Sequence, residues 1–453
     1  MQQLPKAGFK QALSAWASFT FIASLLAIIA MKPAAAAPST WCVTVNGQPS
    51  SKCTPTNLGT TVAEPSAAAS MVGNGDTIII VPGTYVDCSV WTKNNLTIEA
   101  APNTSRPVIV QAPPAPSPTS SLPDPGTLDN CPNPQYNQQR SNQTKALFDI
   151  TGTTGGGNNV TVNGITFENA SNDPTSEGGN GAGIRVTGSD LDGTPDPTKV
   201  AKNPTIENCS FDNNQSGILV DAQERTLNDP SSTSSVVTIN GSSFIGDGAN
   251  QGPNPAHPIY VGYAAQLSVD QTGIFDTQAG ANGIQSRAAL TSVTNSEIWD
   301  DSTSGNGDSS YLISVNNGGS LTIMNDSLEK GQQSTTQATA IGIATCLYQT
   351  ATVPPACGPN CPSNCEYLWS PGSGDSPEIL VSSNTFQNDD SPQNSNNTVI
   401  FVNNYYQNAT GNTAAYVCGN TLTPGLSSYT IVALFQNDTN NGQQSTCVVG
   451  WQP

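Results

Sequence analysis

Apolar residues recur in pairs five positions apart along this chain: Val162/Phe167, Ile206/Phe211, Ile239/Phe244, Val269/Ile274, Val293/Ile298, Ile323/Leu328, Val381/Phe386 and Val417/Leu422. The stretches between them share one form, seen in VNGITF, IENCSF, INGSSF, VTNSEI, IMNDSL and VSSNTF, with Asn, Gly or Asp where the chain turns. Each copy reads as two short strands joined by a bend, and none buries its apolar face alone. Stacking the copies produces a solenoid with one continuous core. A further strand precedes each copy: Ile184-Arg185-Val186, Ile218-Leu219-Val220, Ile259-Tyr260-Val261, Ile284-Gln285-Ser286, Ile313-Ser314-Val315, Ile341-Gly342-Ile343 and Ile400-Phe401-Val402. These strands start 34, 41, 25, 29, 28 and 59 residues apart, so the tight coils run from about 259 to 343 and the longer coils carry loops. Some nine coils at about 4.8 Å each make a rod of about 40 Å.

Ahead of the repeats, Val62 to Met71 predicts a short helix covering the open first coil, with Pro65 tolerated in its opening turn. Gly75 to Tyr85 then predicts a strand closed by a Pro-Gly turn, followed by strands at Leu96–Ile98 and Val108–Val110. The first residues read as an export signal: Lys6 and Lys10, an apolar run from about Ala12 to Met31, then a small-residue cleavage site after Lys32-Pro33. The resulting organisation is a leader over 1–37, a disulfide-stapled N-terminal cap over 38–75, the solenoid over 76–425 and a C-terminal cap over 426–453. Loop insertions fall near 113–145, 188–203, 221–235 and 347–375, all rich in Gly, Ser and Pro.

The run GDTIIIVPGTY leading to NNLTIEA resembles the opening coil of right-handed parallel β-helix proteins of the pectate-lyase-like group, and the later repeats resemble that group's successive coils. The resemblance covers roughly residues 60 to 425 and implies an all-β, single-stranded right-handed parallel β-helix with a short N-terminal cap helix. That fold hosts lyases, hydrolases, epimerases and adhesins, so it leaves activity open.

After signal removal the net charge goes from −19 to about −22, because three lysines and no acids leave with the leader. This field makes nucleic acid a poor partner and repels a polyanionic sugar at neutral pH; it suits an acidic medium in which carboxylates are partly neutral, or serves solubility alone. No later stretch is long and apolar enough to span a bilayer, so the mature protein is expected to be secreted or periplasmic, and monomeric. All eleven cysteines lie after the leader. Export makes disulfides their default state, with Cys42–Cys53, Cys88–Cys131 and Cys418–Cys447 as sequence neighbours and Cys346, Cys357, Cys361 and Cys365 in one insertion. The C-x3-C-x3-C spacing there matches no common zinc pattern. Cys209, inside a repeat, reads as a buried small apolar residue.

Strand parity places the outward side chains in columns. One column is Arg185, Leu219, Tyr260, Gln285, Ser314 and Gly342; the next is Thr187, Asp221, Gly262, Arg287, Asn316 and Ala344. At the coil corner stand Ser216, His257, Asn282 and Tyr311. The tight coils thus collect His257, the only histidine, with Tyr260 and Arg287 as catalytic candidates. Asp221, Asn282, Gln285, Tyr311, Ser314 and Asn316 are candidates for substrate binding. Such a set would abstract the proton next to a uronate carboxylate, with Tyr260 or His257 as base or acid and Arg287 on the developing charge.

The segments HPIYVGYAAQLSV, GANGIQSRAA and SSYLISVNNGG are similar to secreted bacterial β-helix proteins carrying H-x-I-Y-V-G, G-H-x-I/V-K-S-R and I-D-L-P-N-G-G. The likeness places His257, Tyr260, Gly262, Ser286, Arg287, Asn317 and Gly319 at family positions. The chain departs from it with Asn282 for a His, Gln285 for a Lys and Ser314 for an Asp.

A rival constellation is acidic: Asp276 and Asp300 on adjacent coils, about one strand spacing apart. Retaining glycosidases hold their carboxylates about 5 to 5.5 Å apart, yet Asn and Asp also turn corners in every coil. No cofactor is expected and no metal ligand set stands out; an acidic β-helix offers oxygens to calcium, but no fixed-spacing loop supports a site. The leading reading is a polysaccharide-active, lyase-like protein acting on a uronate-containing glycan. The alternative is a non-catalytic carbohydrate-binding or surface-structural protein, and a glycoside hydrolase ranks behind both.

Overall fold

In the computed structural model the described residues are 37–53, 60–110, 146–151, 157–171, 181–187, 201–220, 235–249, 255–262, 264–278, 280–300, 309–315, 319–331, 340–343, 379–388, 402–404, 415–422 and 433–435. The expected leader, the insertions near 113–145 and 347–375, and the partner cysteines Cys131 and Cys447 lie outside them.

Three parallel sheets form the body, one of twelve strands and two of ten. The chain visits them in rotation, so each coil places one strand in each sheet: a right-handed parallel β-helix. The first sheet runs from Thr61–Val62 to Ala415–Cys418, the second from Thr84–Val86 to Thr421–Leu422, and the third from Ser89–Trp91 to Ala433–Phe435. The pairs read from sequence are in register: Val162, Ile206, Ile239, Val269, Val293, Ile323, Val381 and Val417 align in the first sheet. Phe167, Phe211, Phe244, Ile274, Ile298, Leu328, Phe386 and Leu422 align in the second.

Along the repeats the bends between those two sheets hold a left-handed residue, supplied by Gly164, Asn208, Gly241, Gln271, Asn295, Asn325 and Ser383 (φ +49 to +73). Short polar residues and glycine tolerate that conformation where bulkier ones resist it. Inside, Phe167, Phe211 and Phe244 stack at 5.2 and 4.6 Å between centroids, and Trp91 and Phe148 join them edge-on. A Cβ at Gly217 would sit 2.5 Å from Phe244, so a residue without one is needed to admit the stack. Outside the first sheet, Thr40, Thr77, Thr97, Thr161, Thr205, Thr238, Ser268, Ser292 and Thr322 form one aligned hydroxyl column, a pleated surface suited to β-branched residues.

The coils are also pinned by side chains turned inward at the bends. The Thr272 N–H donates to Ser296 Oγ (3.2 Å), Ser296 N–H to Asp326 Oδ1 (2.7 Å), Asp326 N–H to Asn384 Oδ1 (2.8 Å) and Asn384 N–H to Asn420 Oδ1 (2.9 Å). Asn384 Nδ2 donates back to the Ile323 carbonyl (3.0 Å) and Asn420 Nδ2 to the Val381 carbonyl (2.9 Å). Asp326 occupies the same rung without an amide to donate, and its buried Oδ2 has no partner. Burial pushes its pKa up to about 7. Asp247 sits likewise below Asn214 in the next corner's ladder, accepting from Asn214 at 2.6 and 3.0 Å, with Oδ2 unpartnered and its pKa raised by burial.

The helix spans Pro65–Met71, three residues shorter at its start than expected because Thr61–Val62 is taken into the first sheet. The expected cap segment adds strand Thr40–Val43 beside Thr77–Ile80 in that sheet, and its Cys42–Cys53 disulfide forms. Cys88 and Cys418 are disulfide-bonded too, and Cys209 is a buried free thiol whose pKa burial raises to about 11. Two boundaries differ from expectation. The late third-sheet strand is Val402–Asn404, with Val402 rather than Ile400 opposite Ile341; the shift of two residues preserves facing, so parity did not detect it. Pairing also continues to Ala433–Phe435, beyond the boundary set at 425.

The buried acids dictate a pH profile. Asp87, Asp326 and Asp300 have folded pKa values raised to about 7, about 7 and about 6, so their contribution is greatest below the unfolded aspartate value and is lost as pH rises through these values. His257, lowered to about 3 by burial, acts oppositely between about pH 6.5 and 3, but it is one group against three. Thermal melts are expected to show a higher Tm at about pH 4.5 than at about pH 7.5. Asp326→Asn, which gives this rung the amide donor that Asn384 and Asn420 carry, is expected to raise stability at neutral pH by ~1–3 kcal/mol and to flatten that profile. A destabilised variant would refute the ladder account.

Candidate functional site

The third sheet differs from the others in burial. In the first sheet, strands such as Gln266–Asp270 and Leu290–Thr294 bury alternate residues. In the third, Ala146–Thr151, Ala182–Thr187, Ser216–Val220, Ile259–Val261, Ile284–Ser286 and Ile313–Val315 are buried on both faces. Its outward column is therefore a recessed one, and it matches the sequence expectation residue for residue: Arg185, Leu219, Tyr260, Gln285, Ser314 and Gly342 pair in succession. Asp149 extends the column below Arg185 and is fully buried. The sequence reading missed it, although ALFDIT has the same alternation as AGIRVT one coil later.

At the coil corner the side chains again satisfy neighbouring backbone. The Asn282 N–H donates to His257 Nδ1 (2.8 Å), and the Tyr311 N–H donates to Asn282 Oδ1 (3.1 Å). One coil earlier, the Gly181 N–H donates to Gln215 Oε1 (2.7 Å). Asn282 Nδ2 donates to Gln285 Oε1 (2.9 Å), which orients Gln285 with its own amide hydrogens free to face the recess. With Nδ1 accepting, neutral His257 carries its proton on Nε2. Burial, with a contribution from the Arg287 charge, lowers its pKa to about 3. His257 is thus a hydrogen-bond donor at ordinary pH and is not free to act as the base.

Tyr260 lies between these groups. The His257 ring is 6.0 Å from it and nearly parallel, at 11°, and the Arg287 guanidinium carbon is 5.8 Å from its centroid, within range of a cation–π contact. Arg287 is 8 % exposed, its Nε has no hydrogen-bond partner, and no carboxylate among the described residues pairs with it. Its backbone is fixed by donation to the Val261 carbonyl (2.8 Å). Ser314 is buried beside Gln285 and Tyr311 is half-buried at the corner. Asp221 and Asn316 lie outside the described residues.

The acidic pair takes a different place. Asp276 holds a left-handed bend (φ +53), and its N–H donates to the Trp299 carbonyl on the next coil. Asp300 is fully buried and accepts from both the backbone N–H and the hydroxyl of Ser309. Burial raises its pKa to about 6 while the Lys330 charge pulls it down. Lys330 is itself fully buried and donates to the Ser309 and Ser310 carbonyls at 2.7 Å each. These groups anchor the return of the chain into the third sheet, and Asp300 has no surface open to a substrate. No group of three or more His, Cys, Asp or Glu side chains is arranged to hold a metal among the described residues.

No protein-family model matches the chain, and no curated protein does. Among solved structures it is similar to the PL6 family alginate lyase AlyGC, with a TM-score of 0.41 and 12 % identity over 86 % of this chain, which spans 41 % of that enzyme's length. A pectin methylesterase in complex with a hexasaccharide gives a TM-score of 0.36 and 13 % identity over 65 % of this chain and 81 % of that one. Pectate lyase Pel9A gives 0.36 and 12 % over 89 % of this chain and 83 % of that one. The fold itself rests on the three parallel sheets and their register.

Because the chain has one histidine, NMR of its imidazole reports a single site. The Nε2–H tautomer is expected to persist without titrating between about pH 8 and about pH 4.5, and a midpoint near 6.5 would contradict the corner bond. His257→Asn keeps an acceptor for the Asn282 N–H and should melt near the parent. His257→Phe removes that acceptor and should cost ~1–3 kcal/mol.

Proposed function

We propose that this is an exported polysaccharide-active protein whose recess on the third sheet receives the carboxylate of a uronate residue at Arg287. The observation that carries the reading is that guanidinium: nearly buried, without an anionic partner among the described residues, and set against Tyr260. Burying an unpaired charge costs stability, and a site meant to pair with an incoming anion accounts for retaining it. The Cys42–Cys53 disulfide agrees with an oxidising compartment, and no helix among the described residues is long and apolar enough to cross a membrane.

In the lyase form of this proposal, Arg287 draws charge from the uronate carboxylate and acidifies the C5 hydrogen. In its phenolate form Tyr260 takes that proton as the C5–H bond breaks. The C4–O bond then breaks with formation of the C4=C5 double bond, and the proton gained by Tyr260 passes to the leaving oxygen, which regenerates the phenolate. His257 Nε2–H and the Gln285 amide orient the sugar by donation. A second reading, a non-catalytic glycan-binding recess, is favoured by one observation: His257 Nδ1 and Asn282 Oδ1 are already committed to holding neighbouring coils together, and Asn282 Nδ2 is bonded to Gln285 within its own coil.

Polyuronate fragments would be mixed with the mature protein at about pH 4.5 and about pH 7, with ultraviolet absorbance of unsaturated product and calorimetric binding followed together. Product formation that vanishes in Tyr260→Phe with binding retained supports the lyase; binding without product supports the recess alone. In either case Arg287→Met is expected to weaken binding at least about tenfold without lowering Tm. Unchanged binding in that variant would overturn the assignment.

A further inference from the structure

The outer face of the second sheet carries a strip that the Arg287 recess does not use. Ile245, Phe275 and Trp299 follow one another in register on consecutive coils. Ile245 is 44 % and Trp299 37 % exposed, and no other aromatic side chain is as open as Trp299 among the residues whose burial is described. The rings are held in place. Trp299 Nε1 donates to Ser327 Oγ (3.3 Å), the Phe275 and Trp299 centroids are 5.7 Å apart, and Phe275 lies over Gly273, where a Cβ would meet its ring at 2.4 Å. The strip is bounded by carboxylates in the same columns: Asp212 and Glu168 before Ile245, Glu297 beside Trp299 and Glu329 after it. No Lys or Arg side chain stands among the outward residues of these strands, and the cation acting on the acids is Arg106, at the Asp212 end.

We propose that this strip is a second carbohydrate surface, which binds a glycan chain bearing free amino groups. Exposed ordered aromatic rings on a flat sheet present faces for the C–H side of sugar rings. Their spacing along the rod is that of adjacent strands, close to the rise of one sugar in an extended chain. Charge then selects the sugar. Four carboxylates repel a uronate polymer, whereas an ammonium group gains both from them and from the Trp299 face. The surface therefore takes a polymer of opposite charge to the one received at Arg287.

The test is calorimetry with the mature protein and glucosamine oligosaccharides, their fully N-acetylated counterparts and galacturonate oligosaccharides, with sedimentation of the same samples. The glucosamine chain is expected to bind at least about tenfold more tightly than the acetylated one. Trp299→Ala should remove that binding at unchanged Tm, and the Glu297→Gln/Glu329→Gln pair should weaken it. Arg287→Met should leave it intact, which separates this surface from the recess. Equal affinity for the two chains, no binding of the glucosamine chain, or indifference to Trp299→Ala would overturn the proposal. So would a dimer in the parent that Trp299→Ala dissolves, because the strip would then be a self-contact.

Discussion

Every coil of a parallel β-helix must turn three times, and at each turn the backbone N–H groups leave the sheet ladders and need another acceptor. In this chain the neighbouring coil provides it through side chains: the rungs from Ser296 through Asp326 and Asn384 to Asn420 at one bend, Asn214 with Asp247 and His257 with Asn282 at the next, and Asn94 and Ser235, which accept from the Asn158 and Asn203 N–H groups, at the third. An orphaned N–H at any rung costs about as much as a lost buried hydrogen bond. The apolar stack fills the interior, but the polar rungs fix which residue of one coil meets which of the next. Register at Tyr260, Gln285 and Arg287 follows from them.

The same requirement explains the acidic character of the interior. A rung filled by Asn both accepts and donates, and one filled by Asp completes the second bond only when protonated. Asp326 and Asp247 are such rungs, each with a buried Oδ2 lacking a partner. Burial raises the pKa of both, so each rung is completed as the pH falls. The Asp276 and Asp300 pair belongs to this framework as well, since the first sets a bend and the second, with Lys330, ties the Ser309 segment down.

The solenoid was legible because its signal is repeated: one apolar pair five residues apart is weak, but eight copies in phase with left-handed-tolerant residues between them fix sheet, register and facing. The outward column Arg185, Leu219, Tyr260, Gln285, Ser314 and Gly342 followed from parity alone. Parity does not report whether an outward position is open or covered, so the double burial of the third sheet came only from the structure. Nor does it distinguish a side chain facing a ligand from one accepting a neighbour's N–H. His257 looked like a free base because its only visible mark was rarity; the coil-to-coil bond that fixes its tautomer joins residues 25 apart in sequence. Phe275 and Trp299 were hidden because each sits one residue beyond an inward position, where polar residues were expected.

The central point is Arg287, a nearly buried cation with no carboxylate partner among the described residues, as the group that receives an anionic sugar. The most direct measurement is the ¹⁵N–¹H signal of its Nε in labelled protein, followed while galacturonate and then neutral galactose oligosaccharides are added. The expected result is a signal that shifts downfield with the uronate chain alone. A signal that ignores the uronate, or that moves equally with the neutral chain, would contradict the assignment.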